Sequence, residues 1–218
     1  MERTKPSTLW IDGDSIGSYG HIYAPHCYEL PPLTAGTPRI RIRIDNSPAV
    51  VPAEVQNSHA WSESTQTNWN GILGEFSLEA RDCSYIEDVQ VYPDPEKKCA
   101  EVRLSVFAEK RGKASVRLGG QSWNAPETRR IVPVLRKVCL QKGRNELTFT
   151  IDMGDDPLLW SEFHPALYRL EIELRQGNRR DGCHVDFGMR RFYTEDAQLM
   201  LNGKKIFLRA STMPVFSR

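Results

Sequence analysis

The residues with the clearest chemical potential lie in one stretch, Ser58-His59-Ala60-Trp61-Ser62-Glu63-Ser64-Thr65-Gln66-Thr67-Asn68-Trp69-Asn70-Gly71-Ile72. It combines two Trp and one His with a run of hydroxyl and amide side chains, and it has no hydrophobic periodicity. A structureless run of about fifteen residues inside a compact domain is usually functional or disordered, and its aromatic content argues against disorder. Aromatic faces stack on the apolar face of a pyranose, while Asn, Gln, Ser and Thr offer donors and acceptors to its hydroxyls. His59, Trp61, Thr65, Gln66, Asn68 and Trp69 are the candidate sugar-contacting residues. The alternative is that the two Trp pack beneath the loop as a satellite core. Asn68 and Trp69 are expected to be partly structural in either case.

Such a loop needs a rigid frame, and the sequence supplies strands to make one. Arg39-Ile40-Arg41-Ile42-Arg43-Ile44-Asp45 alternates strictly between apolar and charged residues, the period of a half-buried strand. Phe76, Leu78 and Ala80 alternate in the same way and predict a strand over 74–80. Further inward sets are Val102, Leu104 and Val106; Ala114, Val116 and Leu118; Leu147, Phe149 and Ile151; and Tyr168, Leu170, Ile172 and Leu174. Asp12-Gly13 and Asn202-Gly203 are hairpin turns of the type I′ kind. No segment reads as an amphipathic helix. Two Pro and a charge cluster in Tyr92-Pro93-Asp94-Pro95-Glu96-Lys97-Lys98 predict a domain break there. The expected fold is all-β: a partial jelly-roll, galactose-binding-like sandwich followed by an immunoglobulin-like β-sandwich of seven or so strands in roughly 95 residues. Ile40, Ile42, Ile44, Phe76 and Leu78 are expected to be buried in the first sandwich, and Val102, Leu104, Val106, Phe149, Trp160, Leu170 and Ile172 in the second.

Composition excludes several classes of partner. With 29 basic and 28 acidic residues among 218, the net charge of +1 gives no electrostatic case for nucleic acid or an anionic membrane. No apolar run approaches the ~20 residues that span a bilayer. Met1-Glu2-Arg3-Thr4-Lys5-Pro6 lacks the apolar core of a signal peptide, so the chain is either cytoplasmic or starts downstream of the true N-terminus. Cys27, Cys83, Cys99, Cys139 and Cys183 show no metal-ligand spacing and are expected to be free, mostly buried thiols. No metal or cofactor is expected.

Taken in order, several segments resemble glycoside hydrolase family 2, the β-galactosidase, β-glucuronidase and β-mannosidase family. Leu9-Trp10-Ile11-Asp12-Gly13 is similar to the V-W-V-N-G strand of that family's N-terminal sugar-binding jelly roll, and Tyr23–Leu33 to the strand that follows it. Asn68-Trp69-Asn70-Gly71-Ile72 resembles its NY/W-x-GI turn, and Tyr85–Val91 its closing I-x-D-V-x-V strand. Leu159-Trp160-Ser161-Glu162-Phe163-His164-Pro165-Ala166-Leu167-Tyr168 resembles the LWSPENPxLY signature of the immunoglobulin-like middle domain. Phe187-Gly188-Met189-Arg190-Arg191-Phe192 resembles FGFRxF, and Leu201-Asn202-Gly203-Lys204-Lys205-Ile206-Phe207-Leu208-Arg209 resembles LNGKxIFLRG.

The resemblance implies three parts: residues 1–93 as the C-terminal portion of the jelly roll, 94–195 as the immunoglobulin-like domain, and 196–218 as the start of a truncated (β/α)8 catalytic barrel. It implies an exo-β-glycosidase acting on a terminal β-linked sugar, with the chain's own barrel as partner and homo-oligomerisation left open. Glycoside hydrolysis needs two carboxylates flanking the scissile bond, about 5 Å apart for retention, and in this family both come from the barrel. Asp12, Asp14, Glu75, Glu79, Glu171 and Glu173 fall on outward strand faces or in turns and read as solvated; no catalytic residue is assigned, and the chain alone is expected to be inactive. Galactosidase and glucuronidase members carry an Asp six residues before the turn Gly, where this chain has Thr65, which leaves the sugar open. Trp160 is expected to be a core anchor. The long 57–71 loop resembles periplasmic, polysaccharide-degrading members, so a periplasmic or extracellular bacterial location is favoured over a cytoplasmic one. A free-standing carbohydrate-binding module with an immunoglobulin-like partner is the alternative, and a purely structural or adhesive sandwich pair a third reading. The Leu201–Leu208 hairpin favours the enzyme portion, because a free module has no use for the opening strands of a barrel.

Overall fold

Side-chain alternation is converted into sheet throughout the computed structural model, which describes residues 1, 3–21, 24–31, 33, 36–45, 47–50 and 71–208. All helical structure among them is one 3-10 turn, Pro48–Val50. Two units are distinguished, Met1–Glu79 and Ala80–Arg218.

In the first unit, strands β1 (Arg3–Thr4), β2 (Ser7–Ile11), β3 (Asp14–Tyr19), β4 (Ile40–Ile44) and β5 (Ile72–Leu73) are short. They pair antiparallel as β3-β2-β4 and β1-β5. Asp12 and Gly13, at φ 52° and 103°, form the expected turn between β2 and β3. The Asp12 carboxylate accepts from the Arg39 amide at 2.8 Å, fastening that turn to the start of β4. Leu9 and Ile11 are buried, while Ile42 and Ile44 are half-buried with Arg41 and Arg43 outward. The expected register of β4 is therefore present, but Ile40 at its open end is exposed. Two expectations fail outright. Phe76 and Leu78 are 60% and 67% exposed and no strand forms over 74–80, because period-2 alternation alone supplies no neighbouring strand to pair with.

The second unit is a sandwich of seven strands. These are β6 (Ser84–Asp94), β7 (Cys99–Ala108), β8 (Gly112–Ser122), β9 (Arg130–Leu140), β10 (Gly143–Asp152), β11 (Tyr168–Gln176) and β12 (Arg179–Phe187). One sheet runs β10-β7-β6 and the other β12-β11-β8-β9, all antiparallel. The first, second and fifth strands thus face the third, fourth, sixth and seventh, an immunoglobulin-like arrangement. Between them lies one continuous core that includes Val102, Leu104, Val106, Val116, Leu118, Ile151, Leu170, Ile172 and Leu174. Phe149 packs against it while remaining partly exposed. The expected break at 92–98 is the turn of the β6–β7 hairpin, whose register runs from Ser84 opposite Ala108 to Asp94 opposite Cys99. The segment 84–93 accordingly belongs to the second unit rather than closing the first. Tyr168, at the start of β11, is fully buried, and its hydroxyl accepts from the Leu158 amide at 2.8 Å. That is the tyrosine corner seen at the same point of many Greek-key sandwiches. Burial raises its phenol's pKa above the ordinary value.

Beyond the sandwich, β13 (Phe192–Glu195), β14 (Gln198–Leu201) and β15 (Lys204–Ile206) form a small antiparallel sheet. Asn202 and Gly203, at φ 51° and 78°, make the expected hairpin turn. The five Cys are unpaired as expected, yet Cys27 and Cys139 are exposed and the other three only half-buried. An outward-facing strand position exposes a small thiol that inward alternation would have buried.

Candidate functional site

His59, Trp61, Thr65, Gln66, Asn68 and Trp69 lie outside the described residues. What the first unit does define is where their segment is attached. It leaves the 3-10 turn at Pro48–Val50 and returns through Gly71, at φ 93°, into β5. There Ile72 pairs with Thr4 and Leu73 with Arg3. The returning end is thereby held by main-chain ladder bonds.

The same unit contains a polar cluster that sequence inspection missed. His26, almost fully buried, places Nδ1 2.6 Å from Ser7 Oγ and Nε2 2.6 Å from the His21 carbonyl oxygen. A carbonyl only accepts, so Nε2 carries the proton and Nδ1 accepts from Ser7. Tyr28 Oη lies 2.7 Å from Ser7 Oγ and 3.0 Å from the Ser7 carbonyl oxygen. Tyr19 stacks on His26 at 5.1 Å and donates to the Cys27 carbonyl at 2.6 Å. Burial holds the His26 imidazole below its usual pKa. Ser7 is itself buried, so this cluster braces the start of β2 rather than offering a nucleophile.

In the second unit, the residues of three sequence motifs converge on one clamp. The Trp160 amide donates to the Met189 carbonyl at 2.9 Å, and Leu159 bridges Met189. Asn202 Nδ2 donates to the Trp160 carbonyl at 2.9 Å, while Asn202 Oδ1 accepts from the Arg191 amide at 2.8 Å. Gly188 is required here, since a Cβ would come within 2.8 Å of the Trp160 side chain. The Arg190 guanidinium covers the indole from 4.6 Å. Trp160 is therefore half-buried at the edge of the sandwich, not the core anchor expected, because the loop that carries it is pinned to 189–191 and to the hairpin. Together with Phe192, Leu201, Ile206, Phe207 and Leu208 it lines a cleft of about 580 Å3. Of its lining, Phe207 is 83% exposed, and Phe192 and Leu208 are exposed as well, a contiguous apolar surface of the kind that marks a contact site.

Four described carboxylates are held as anions by neighbouring cations. Glu87, Asp94, Glu173 and Asp186 are all held below the usual carboxylate pKa. The causes are hydrogen bonds from Arg144, Lys97, Arg175 and Arg169 respectively. A glycosidic general acid needs the opposite displacement. Among the described residues no group of His, Cys, Asp and Glu could hold a metal ion, and no helix is long and apolar enough to cross a membrane.

The family model for glycosyl hydrolases family 2 matches residues 84–190, from the first residue of β6 to just beyond β12. That sandwich is a glycosyl hydrolases family 2 domain. The β-galactosidase of Photobacterium profundum is 27% identical over 216 residues, covering 92% of this chain and 19% of that protein. The β-galactosidase of Oenococcus oeni is 24% identical, covering 95% and 20%. Among solved structures, a family 2 member from Bacteroides cellulosilyticus superposes with a TM-score of 0.69 at 18% identity, over 94% of this chain and 26% of that one. Bacteroides uniformis β-glucuronidase 2, covalently bound to a cyclophellitol aziridine, gives 0.66 at 20% identity, over 95% and 26%. The chain thus spans a fifth to a quarter of the length of these relatives.

Proposed function

We propose that this chain is the accessory, non-catalytic N-terminal portion of a family 2 exo-β-glycosidase that hydrolyses O-glycosidic bonds of terminal β-linked sugars once joined to a catalytic barrel. In this reading residues 1–79 contribute part of a sugar-binding jelly roll, 80–195 the immunoglobulin-like sandwich, and 196–218 the approach to the barrel. The observation that carries it is the aromatic cleft beside the 192–206 sheet. Phe192, Phe207 and Leu208 are left open beside a sandwich whose own core is continuous, in a chain that spans about a fifth of its β-galactosidase relative. Such a surface fits a packed neighbour better than water. The downward displacement of Glu173 and Asp186 supports the division of labour, since neither suits the general acid, which the barrel would supply.

His59, Trp61, Thr65, Gln66, Asn68 and Trp69 are proposed to cap the sugar at the barrel mouth. Trp61 and Gln66 supply the stacking face and the hydroxyl partner. In the barrel-containing enzyme, Trp61→Ala and Gln66→Ala are expected to lower kcat/KM on nitrophenyl β-galactoside or β-glucuronide about 10- to 100-fold, the size of one lost substrate contact. Unchanged kinetics in both variants, with the melting temperature preserved, would reduce the segment to a surface elaboration.

A further inference from the structure

The outer face of the four-stranded sheet in the second unit carries a groove of about 520 Å3 that shares no lining residue with the cleft. Its form follows from strand register. Glu171 on β11 lies between Gly119 on β8 and His184 on β12, while Glu173 in the adjacent row lies between Arg117 and Gly182. The two glycines flank β11 in successive rows, so the backbone forms a floor where side chains would otherwise stand. Gly120 deepens this by a close approach, since a Cβ there would collide with the Arg169 carbonyl oxygen.

The polar residues around the groove divide into two sets. Arg169 is committed to Asp186 through two hydrogen bonds of 2.8 Å, and Glu173 to Arg175 and Arg180. By contrast the side chains of Arg117, Glu171 and His184 make no hydrogen bond or close ion pair among the described residues, and feel Glu173, Arg169 and Asp186 respectively only through longer-range electrostatics. They line the groove as one cation, one anion and one imidazole. The uncommitted charges cancel, which disfavours a strongly ionic ligand and suits one that both donates and accepts.

At one end stands Trp123. Its amide donates to the Leu167 carbonyl at 3.1 Å, and the Arg169 guanidinium, itself locked by Asp186, lies 4.9 Å from its ring. The indole is nevertheless 49% exposed. Arg169 also lines the groove, so its guanidinium joins the indole to the trough. A held aromatic face beside mixed donors and acceptors is the chemistry of a sugar subsite.

We infer that this face is a second carbohydrate-binding site. It takes a neutral oligosaccharide, one residue stacked on Trp123 and the next hydrogen-bonded by Glu171, His184 and Arg117. The inference rests on the carbohydrate-processing reading above, but the site uses no residue of the 58–72 segment and requires no barrel. It would hold a polymeric substrate at a distance from the reacting end.

The test is a heteronuclear NMR titration of the 218-residue chain with cellotetraose and with a β-1,4-linked galactotetraose, and with a tetragalacturonate as the anionic comparison. Saturable shifts of the Trp123 indole N–H, Gly119 and Gly182 are expected with a neutral tetramer, at a Kd on the order of 1 mM. Trp123→Ala is expected to weaken binding at least about tenfold, and Glu171→Gln, on an exposed position that leaves the fold intact, at least about threefold. No saturable shift at these positions overturns the inference. So does binding indifferent to both substitutions, or binding confined to tetragalacturonate. Hydrolysis by the longer polypeptide is read separately, so its absence would remove the glycosidase reading without touching this binding measurement.

Discussion

The two units use the same β alternation to different depths. In the second, strands of nine to eleven residues align inward positions over their full length, and Val102, Leu104, Val106, Val116, Leu118 and Leu170 reach complete burial. In the first, described strands run two to six residues, and the fully buried positions include Leu9 and Ile11 but also Lys5, Ser7 and His26. One unit is held by a continuous apolar core; the described residues of the other bury a small apolar strip together with a polar cluster whose members satisfy one another. Apolar burial is non-directional and tolerates pH, whereas a buried hydrogen-bonded imidazole is stable only in the right protonation state.

The largest effect that can break this comparison is in the apolar core. Leu170→Ala is expected to destabilise the second unit by about 4 kcal/mol, whereas Leu9→Ala should cost the first only about 2 kcal/mol. Urea unfolding followed separately for each unit checks this; equal losses would mean that the first unit has a comparably rigid core. A smaller loss is expected from Tyr168→Phe, about 1–3 kcal/mol, because the Leu158 amide is left without its acceptor beside the core.

The third prediction sharpens the contrast through pH. His26 has its folded pKa depressed by burial, so above the unfolded value of about 6.5 it is neutral in both states and costs nothing. As pH falls below that value the unfolded chain takes up a proton that the folded unit resists, and stability declines until pH passes the folded pKa. Thermal melts from pH 7.5 to 5 should lower the midpoint of the first unit and leave the second nearly unchanged. His26→Gln should flatten the dependence.

The same contrast explains what could be read in the residue order. Inward sets such as Val102-Leu104-Val106 and Leu170-Ile172-Leu174 announce themselves, as do the Asp12-Gly13 and Asn202-Gly203 turns, since period and φ preference are local. The allegiance of Ser84–Asp94 is not local: its ten-residue ladder to Cys99–Ala108 overrides the Pro93 and Pro95 that suggested a boundary. Phe76 and Leu78 had the right period and no partner strand. Trp160 read as core by type, and only its tie to Asn202 and Met189 places it in the cleft wall. The His26 cluster was invisible because Ser7, Tyr19, His26 and Tyr28 meet through the β2–β3 pairing and the segment that follows it. Of the 58–72 segment the described residues fix only its attachment, through Ile72 and Leu73 to Arg3 and Thr4.

Turnover is the most direct test of the central claim, that this chain assists but does not perform hydrolysis. The purified 218-residue chain should release no nitrophenol from nitrophenyl β-galactoside, β-glucuronide or β-mannoside above the uncatalysed rate. The polypeptide extended through a barrel should hydrolyse at least one of them. Hydrolysis by the short chain, abolished by substituting a carboxylate within it such as Glu171→Gln or Glu173→Gln, would contradict the account.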